Sequence, residues 1–480
     1  MKKTSLLPIL VGLAFASSAT AGDPPAAAEK ANSWKLSGSL RTRVEAWDYF
    51  KTGNIPVGAE NSYTFVGNIL KLSAQKSTKD HDYFFELAAP SLLGLPDDAV
   101  APGAKGQLGQ GASYRAANGG QQASVFFKQA YLTMKGKEGR KMKVGRFEFV
   151  DGLESLPGDA VLDWLKKERI GHRLIGTFGF SHVGRSFDGA QFIQDNPGTL
   201  FTAVAAEPTR GVFDLDGEDR LDKIGFQYAG LTFRDADKLQ DGRLFALRYD
   251  DARGLVKTDN RTLAARKLDL LPVEIYSLGG HYIRKVGDAD LLFWGVYQTG
   301  DWGAQDHEAW AYDVEAGYRL GGHRDPWLRA GVCNTSGDAN PADGRHETFF
   351  QAMPTPRIYA RNPFYNMMNV NDAFASLTFK ASKKASVRTE YHHLQLAEAG
   401  DFWYSGGGAF QPQTFGFAGR PSGGSTDLAD VVDLALDLKC DADLSVTLYA
   451  SRAFGGQVVS AIYPAGDTEG YYFLEATRKF

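Results

Sequence analysis

Arg41 and Arg43, two residues apart and followed by Glu45, head the residues of this chain whose chemistry could act on a solute. Lys143, Arg146 and Glu148 repeat the mixture, as do Asp313, Glu315 and Arg319, and Arg388 with Glu390. Such residues recognise ions: a guanidinium takes a carboxylate through two parallel N–H bonds and never loses its charge. Bond-breaking chemistry finds less support. A hydrolase needs a Ser or Asp paired with a His, and His281, His392 and His393 have no serine or carboxylate in a recognisable nucleophile setting. No Cys–His spacing suggests zinc, and Asp214, Asp216, Glu218, Asp219 and Asp222 lack the spacing of a calcium loop. No glycine loop between a strand and a helix offers a phosphate cradle. The expectation is a binding or conducting protein with no catalytic residue, metal or cofactor.

The elements that hold these residues have period two. Trp34, Leu36, Leu40, Val44 and Ala46 share one face, with Lys35, Ser37, Ser39, Arg41, Arg43 and Glu45 on the other. Trp310, Tyr312, Val314, Ala316 and Tyr318 alternate in the same way with Asp313, Glu315 and Arg319, and Val432, Leu434, Leu436 and Leu438 with Asp433 and Asp437. Arg388, Glu390 and His392 share one face of another strand. Strict alternation fails at Gly145. A bulge there would turn Met142, Val144, Phe147 and Phe149 to one side and Lys143, Arg146 and Glu148 to the other. No stretch has the apolar period of an ordinary core helix, so the fold class is all-β.

The connections alternate as well. Short polar turns fall at 76–81, 136–140, 196–198, 234–242, 285–288, 321–326, 382–384 and 439–442. Long links fall at 51–62, 91–122, 151–186, 208–222, 252–272, 300–309, 336–371, 399–428 and 455–470. Eight short turns and nine long loops make 18 strands with both termini on the short-turn side, the pattern of a single transmembrane antiparallel β-barrel with periplasmic turns and extracellular loops. About 18 strands leave a lumen too wide for side chains to fill. The polar faces therefore point into a channel and the apolar faces to outer-membrane lipid. Cys333 and Cys440 fall on different strands at opposite ends, so no disulfide is expected.

The ends fit this reading. Lys2 and Lys3, an apolar run over 6–16, and Ala19 and Ala21 have the form of a signal peptide over 1–21, leaving a periplasmic segment 22–33 and a barrel over 34–480. The last strand carries Tyr472, Leu474, Ala476, Arg478 and Phe480 on one face, and a terminal aromatic of this kind resembles the signal read by the barrel-assembly machinery. Loss of Lys2 and Lys3 leaves 51 basic against 57 acidic residues, a balance that gives no hint of nucleic-acid binding. Within the third long link, 159–170 reads as one short helix, with Val161, Leu162, Trp164 and Leu165 ahead of the basic run Lys166, Lys167, Arg169, His172 and Arg173. It fits either a segment folded into the pore or a surface loop.

Lys143 to Glu154 (KVGRFEFVDGLE), Arg173 to Gly189 (RLIGTFGFSHVGRSFDG), Thr299 to Asp301 and Thr335 to Asp338 (TSGD) make the chain resemble the alginate-export family of outer-membrane proteins, over about 36–480. That resemblance implies an 18-stranded barrel passing an anionic uronic-acid polysaccharide through a basic constriction, without chemistry; the oligomeric state is left open, with a monomer favoured. Arg146 after Gly145 matches the family's Gly-Arg step, and Arg41, Arg43 and Arg388 join it by facing. The chain departs from the secreting members at 439–442, where they carry a long occluding periplasmic loop. A periplasmic plug is therefore not expected, and a general or uptake porin for small solutes stands as the alternative. A receptor or adhesin built on the long loops, such as the aromatic stretch Phe402, Trp403 and Tyr404, is a third reading.

Overall fold

The structure is a computed structural model that describes residues 33–53, 60–356 and 361–480. The proposed signal peptide and nearly all of the segment after it lie outside the described residues. Eighteen strands follow in chain order: β1 (Lys35–Asp48), β2 (Ser62–Ser77), β3 (His81–Leu93), β4 (Phe126–Lys135), β5 (Arg140–Phe147) and β6 (Phe187–Asn196). Next come β7 (Thr199–Pro208), β8 (Ile224–Arg234), β9 (Gln240–Asp251), β10 (Val273–Val286), β11 (Ala289–Trp302) and β12 (Gln305–Arg319). The last six are β13 (Trp327–Thr335), β14 (Val370–Ser382), β15 (Ala385–Leu396), β16 (Asp427–Lys439), β17 (Leu444–Gly455) and β18 (Thr468–Lys479). Each pairs antiparallel with its neighbours, and β1 closes on β18 from Ser39 opposite Lys479 to Asp48 opposite Gly470. Closure pairs backbone groups that a bilayer, having no water to offer, would otherwise leave unsatisfied.

Alternation sets the faces. Leu291, Phe293, Tyr297, Trp310, Tyr312, Val314, Leu434 and Leu474 are exposed on the outside, where lipid would cover them. The eight short turns and both ends of the barrel lie together. There Gly38 exchanges both backbone hydrogen bonds with Phe480, at 2.7 and 3.0 Å, and a Cβ on Gly38 would stand 2.3 Å from the Phe480 ring. Arg478 pairs with Asp441 of the last turn at 2.9 Å, at the rim and clear of the lipid band. Cys333 and Cys440 are both free.

Two expectations are corrected. The long link at 300–309 is a two-residue hairpin: Gly303, at φ 68°, and Ala304 join β11 directly to β12, in a turn that glycine's freedom at positive φ allows. Gln305, His307 and Ala309 continue the inward face while Asp306 and Glu308 point out. The polarity that suggested a loop is that of a strand end above the lipid band.

The bulge is not at Gly145. β5 pairs residue for residue with β4 and β6 through that position, and the extra residue is Lys128, where Glu86 lies opposite Gln129 and Leu87 opposite Phe127. Gly145, at φ 125°, instead allows close approach: a Cβ would lie 2.4 Å from the Ala130 carbonyl oxygen. Arg146 therefore stands on the outer face with Val144 and grips Asp188 through two bonds of 2.7 Å. Phe147 and Phe149 turn inward, opposite to expectation, where Phe149 stacks on Phe226 at 6.1 Å and Phe187 meets Phe226 edge-on.

Candidate solute path

The bore is crossed by the loop between β5 and β6. Asp159 caps its helix α1 (Ala160–Leu165) by accepting from the Val161 and Leu162 amides, and is itself held by Lys285 at 2.7 Å. The chain continues through a wide helical turn, Lys166–Ile170, and residues two to four positions apart are fastened to the inner wall of β9 to β13. Lys166 pairs with Asp241 at 2.9 Å, beside His281, and Arg169 pairs with Glu315 at 2.6 Å. Arg173 pairs with Asp313, while Arg329 of the wall shares Glu315 at 3.0 Å and also holds Asp290. Trp164 packs edge-on against Trp327 at 4.7 Å. The basic run thus belongs to an inserted loop; the surface alternative is overturned.

At mid-bore the strap meets the loop between β13 and β14. Met353 donates its amide to Leu174 and accepts from Gly176, at 2.7 and 2.8 Å, and the Thr355 amide donates to His172 at 2.9 Å. The strap then reaches the opposite wall. Arg41 donates to the carbonyls of Gly179, at 2.8 Å, and Ser181, and Arg43 donates to Phe180 at 2.7 Å. His182 bonds Glu45 at 3.0 Å and seats over Gly67, where a Cβ would stand 2.2 Å from its imidazole ring.

Several residues expected to face open lumen are therefore occupied in holding the strap. Asp313, Glu315, Glu45 and Arg43 are fully or almost fully buried, Arg43 between Glu45 at 3.0 Å and Glu475 at 2.8 Å. Arg319 ties the turn below it through Asp325 at 3.1 Å. Arg388 is buried between Glu168 at 3.5 Å and Glu390 at 3.8 Å. Lys143 points inward near the turn end, its ammonium 4.9 Å from the Tyr131 ring centre. Arg146, outside the barrel, has no part in the path. His392 is buried against Asp372 at 2.9 Å.

Among the described residues several inner-face ion pairs keep a share of solvent, and three of them bear on the path. Arg41 and Glu475 lie 3.7 Å apart with side chains 18% and 22% exposed. Lys71 and Glu148 lie 3.9 Å apart at 27% and 31%, and Arg361 and Glu168 lie 3.5 Å apart at 16% and 32%. They sit on β1 with β18, on β2 with the end of β5, and on the two loops that meet in the bore. These pairs keep contact with water, so a passing ion can exchange with either partner. Facing alone could have found Glu475, one residue after outward Leu474. Arg361 and Glu168 carry no periodic signal.

A family model for alginate export matches residues 103–469. Solved structures of Pseudomonas aeruginosa share the fold. OccK2 (OpdF) in complex with glucuronate is 11% identical with a TM-score of 0.55, covering 93% of this chain and 96% of that one. OccK11 (OpdR) is 11% identical at 0.54, covering 93% and 96%, and OccD3 (OpdP) is 13% identical at 0.52, covering 93% and 91%. Comparison with curated proteins gives no match. At these identities the structural likeness is one of fold.

Proposed function

Since the chain belongs to the alginate export family, and is thereby an outer-membrane channel for solutes, we propose that it passes small anionic solutes, of the size of a sugar acid or short oligosaccharide, and not an intact polymer. The observation that supports this is the strap over 148–186, fixed to both walls and joined at mid-bore by a second loop, with three part-exposed ion pairs along the route a solute would take. A carboxylate entering such a path can displace the acidic partner from Arg41, Lys71 or Arg361 in turn, and weak repeated contacts let a solute leave as readily as it enters. Each rung carries an acid beside its base, so anion preference is moderate. OccK2, which shares the fold, is solved in complex with glucuronate; here the rungs support the acidic character of the solute. We also propose that residues 1–21 are a signal peptide removed after export, on the strength of Lys2, Lys3 and the small residues at Ala19 and Ala21.

Purified protein in liposomes should admit glucuronate and short oligouronates and exclude long polyuronate, with modest anion selectivity in a planar bilayer. Entry of the long polymer at a rate near that of the monomer would favour the polymer conduit.

A further inference from the structure

On the loop side of the strap lies a cavity of about 90 Å³. Aromatic rings line much of it: Trp47, Phe178, Phe180, Phe213 and Phe364. Among the described residues one charged side chain lines it, Arg420.

Arg420 stands on a short hairpin in which Phe402–Ser405 pairs with Ala418–Pro421, and it is only 4% exposed. Its Nη1 donates to the hydroxyls of Tyr463 at 2.5 Å and Tyr49 at 3.5 Å, and its guanidinium lies 4.5 Å from the Trp403 ring centre. Eight arginines are buried among the described residues, and six of them have a carboxylate within ion-pair distance. Arg185 and Arg420 do not. Arg185 donates to the carbonyls of Gly408 and Pro354, whereas Arg420 has only the two hydroxyls. Its Nε and Nη2 have no acceptor among the described residues. These two nitrogens form one edge of the guanidinium, the spacing a carboxylate takes bidentately.

A buried cation without a counter-ion, in a cavity walled by rings, calls for an anion that is itself bulky and flat. We infer that this vestibule binds the carboxylate of a one-ring acid, with Arg420 taking the carboxylate and the aromatic side chains the ring. The inference rests on the channel reading and deepens it, placing a capture site ahead of the ion-pair rungs. Phe180 joins the two, lining the cavity while the Arg43 guanidinium sits 3.8 Å from its ring centre. Aromatic stacking selects rings and an uncompensated guanidinium selects acids, so each half of the ligand is tested separately.

The test is binding of benzoate, benzamide and acetate to the purified full-length protein in detergent, read by tryptophan fluorescence and equilibrium dialysis, with bilayer conductance measured on the same preparation. Benzoate should bind saturably, with benzamide and acetate at least tenfold weaker. Arg420→Gln should weaken benzoate at least tenfold. Because Arg420 also braces two tyrosines, Ser405→Asp, which sets a carboxylate on the cavity wall and leaves Arg420 in place, should weaken benzoate at least fivefold and spare benzamide. Equal binding of benzamide and benzoate, or benzoate binding untouched by both variants, overturns the inference. Conductance without benzoate binding removes the capture site and leaves the channel. Benzoate binding without conductance does the reverse.

Discussion

The strap is held by opposite means at its two ends. On the wall of β9 to β13 its own cations reach into buried wall carboxylates: Lys166 into Asp241, Arg169 into Glu315, Arg173 into Asp313. On the wall of β18 to β2 the wall supplies the cations, and Arg41 and Arg43 reach mainly the strap's backbone carbonyls. The first anchor depends on side-chain identity, and loss of one partner strands a charge in a dry place. The second depends on the path of the backbone, and Arg41 keeps contact with water and with Glu475. The first end is therefore the fixed one and the second the end that can yield.

The sharpest break of this contrast is Glu315→Gln. Glu315 accepts from both Arg169 and Arg329, so its neutralisation leaves two buried guanidiniums short of charge. Breaking a buried pair from one side costs about 3–5 kcal/mol. Denaturant unfolding of the refolded barrel should show a loss of that order, with noisier and larger conductance as the strap detaches. Arg41→Gln at the other end should cost about 1 kcal/mol by the same measurement, the worth of ordinary hydrogen bonds. Equal losses at the two ends would end the distinction.

Gly67→Ala works on the yielding end alone. The new methyl would stand 2.2 Å from the His182 ring, which Glu45 holds from the other side, so the limb over 178–183 must move. Overpacking of this kind costs about 1–3 kcal/mol. Conductance should rise with the far anchor intact and the strand content unchanged by circular dichroism. An unaltered conductance would mean that the limb does not bound the path.

How far the sequence carried follows from the same two walls. Alternation identified the inward faces of β1, β12, β15 and β16 because each strand is amphipathic on its own. It failed at Gly145, where the irregularity belongs to Lys128 on the neighbouring strand and no pattern within β5 could reveal it. The turn at Gly303 was hidden because strands that rise above the lipid band lose their apolar face. The candidate site was least legible. Arg169 and Glu315 are separated by 146 positions, and only the closed barrel brings them together. Sequence named many of the charges and their faces but not their partners, so residues read as lining an open lumen proved to be anchors.

A third set of contacts, between the loops themselves, should respond to pH where the two anchors do not. In the extracellular loops Asp338 donates its backbone amide to the Asp401 carboxylate at 3.1 Å, and Asp401 also accepts from Thr348 at 2.5 Å and Tyr404 at 2.6 Å. Burial comes first in pushing both carboxyls up, Asp338 to about 7 with Asp401, Asp343 and Glu347 adding repulsion, and Asp401 to about 6 against the pull of its hydrogen bonds. A carboxyl whose pKa is higher in the folded loops than in a free chain, where it is about 3.9, is favoured there in its protonated form. Its contribution is therefore complete below the free-chain value, shrinks as pH rises from 4, and is gone once pH passes 6 to 7. Limited proteolysis of the loops over 336–369 and 397–426 should accelerate between pH 5 and pH 8, while the barrel resists throughout. Asp338→Asn, unable to ionise, should flatten most of that rise. A cleavage rate independent of pH in the parent protein would show that these loops are held by something other than the neutral pair. Loosening that spread into the strap, seen as a parallel rise in conductance, would show that the yielding end answers to the loops above it as well as to Arg41.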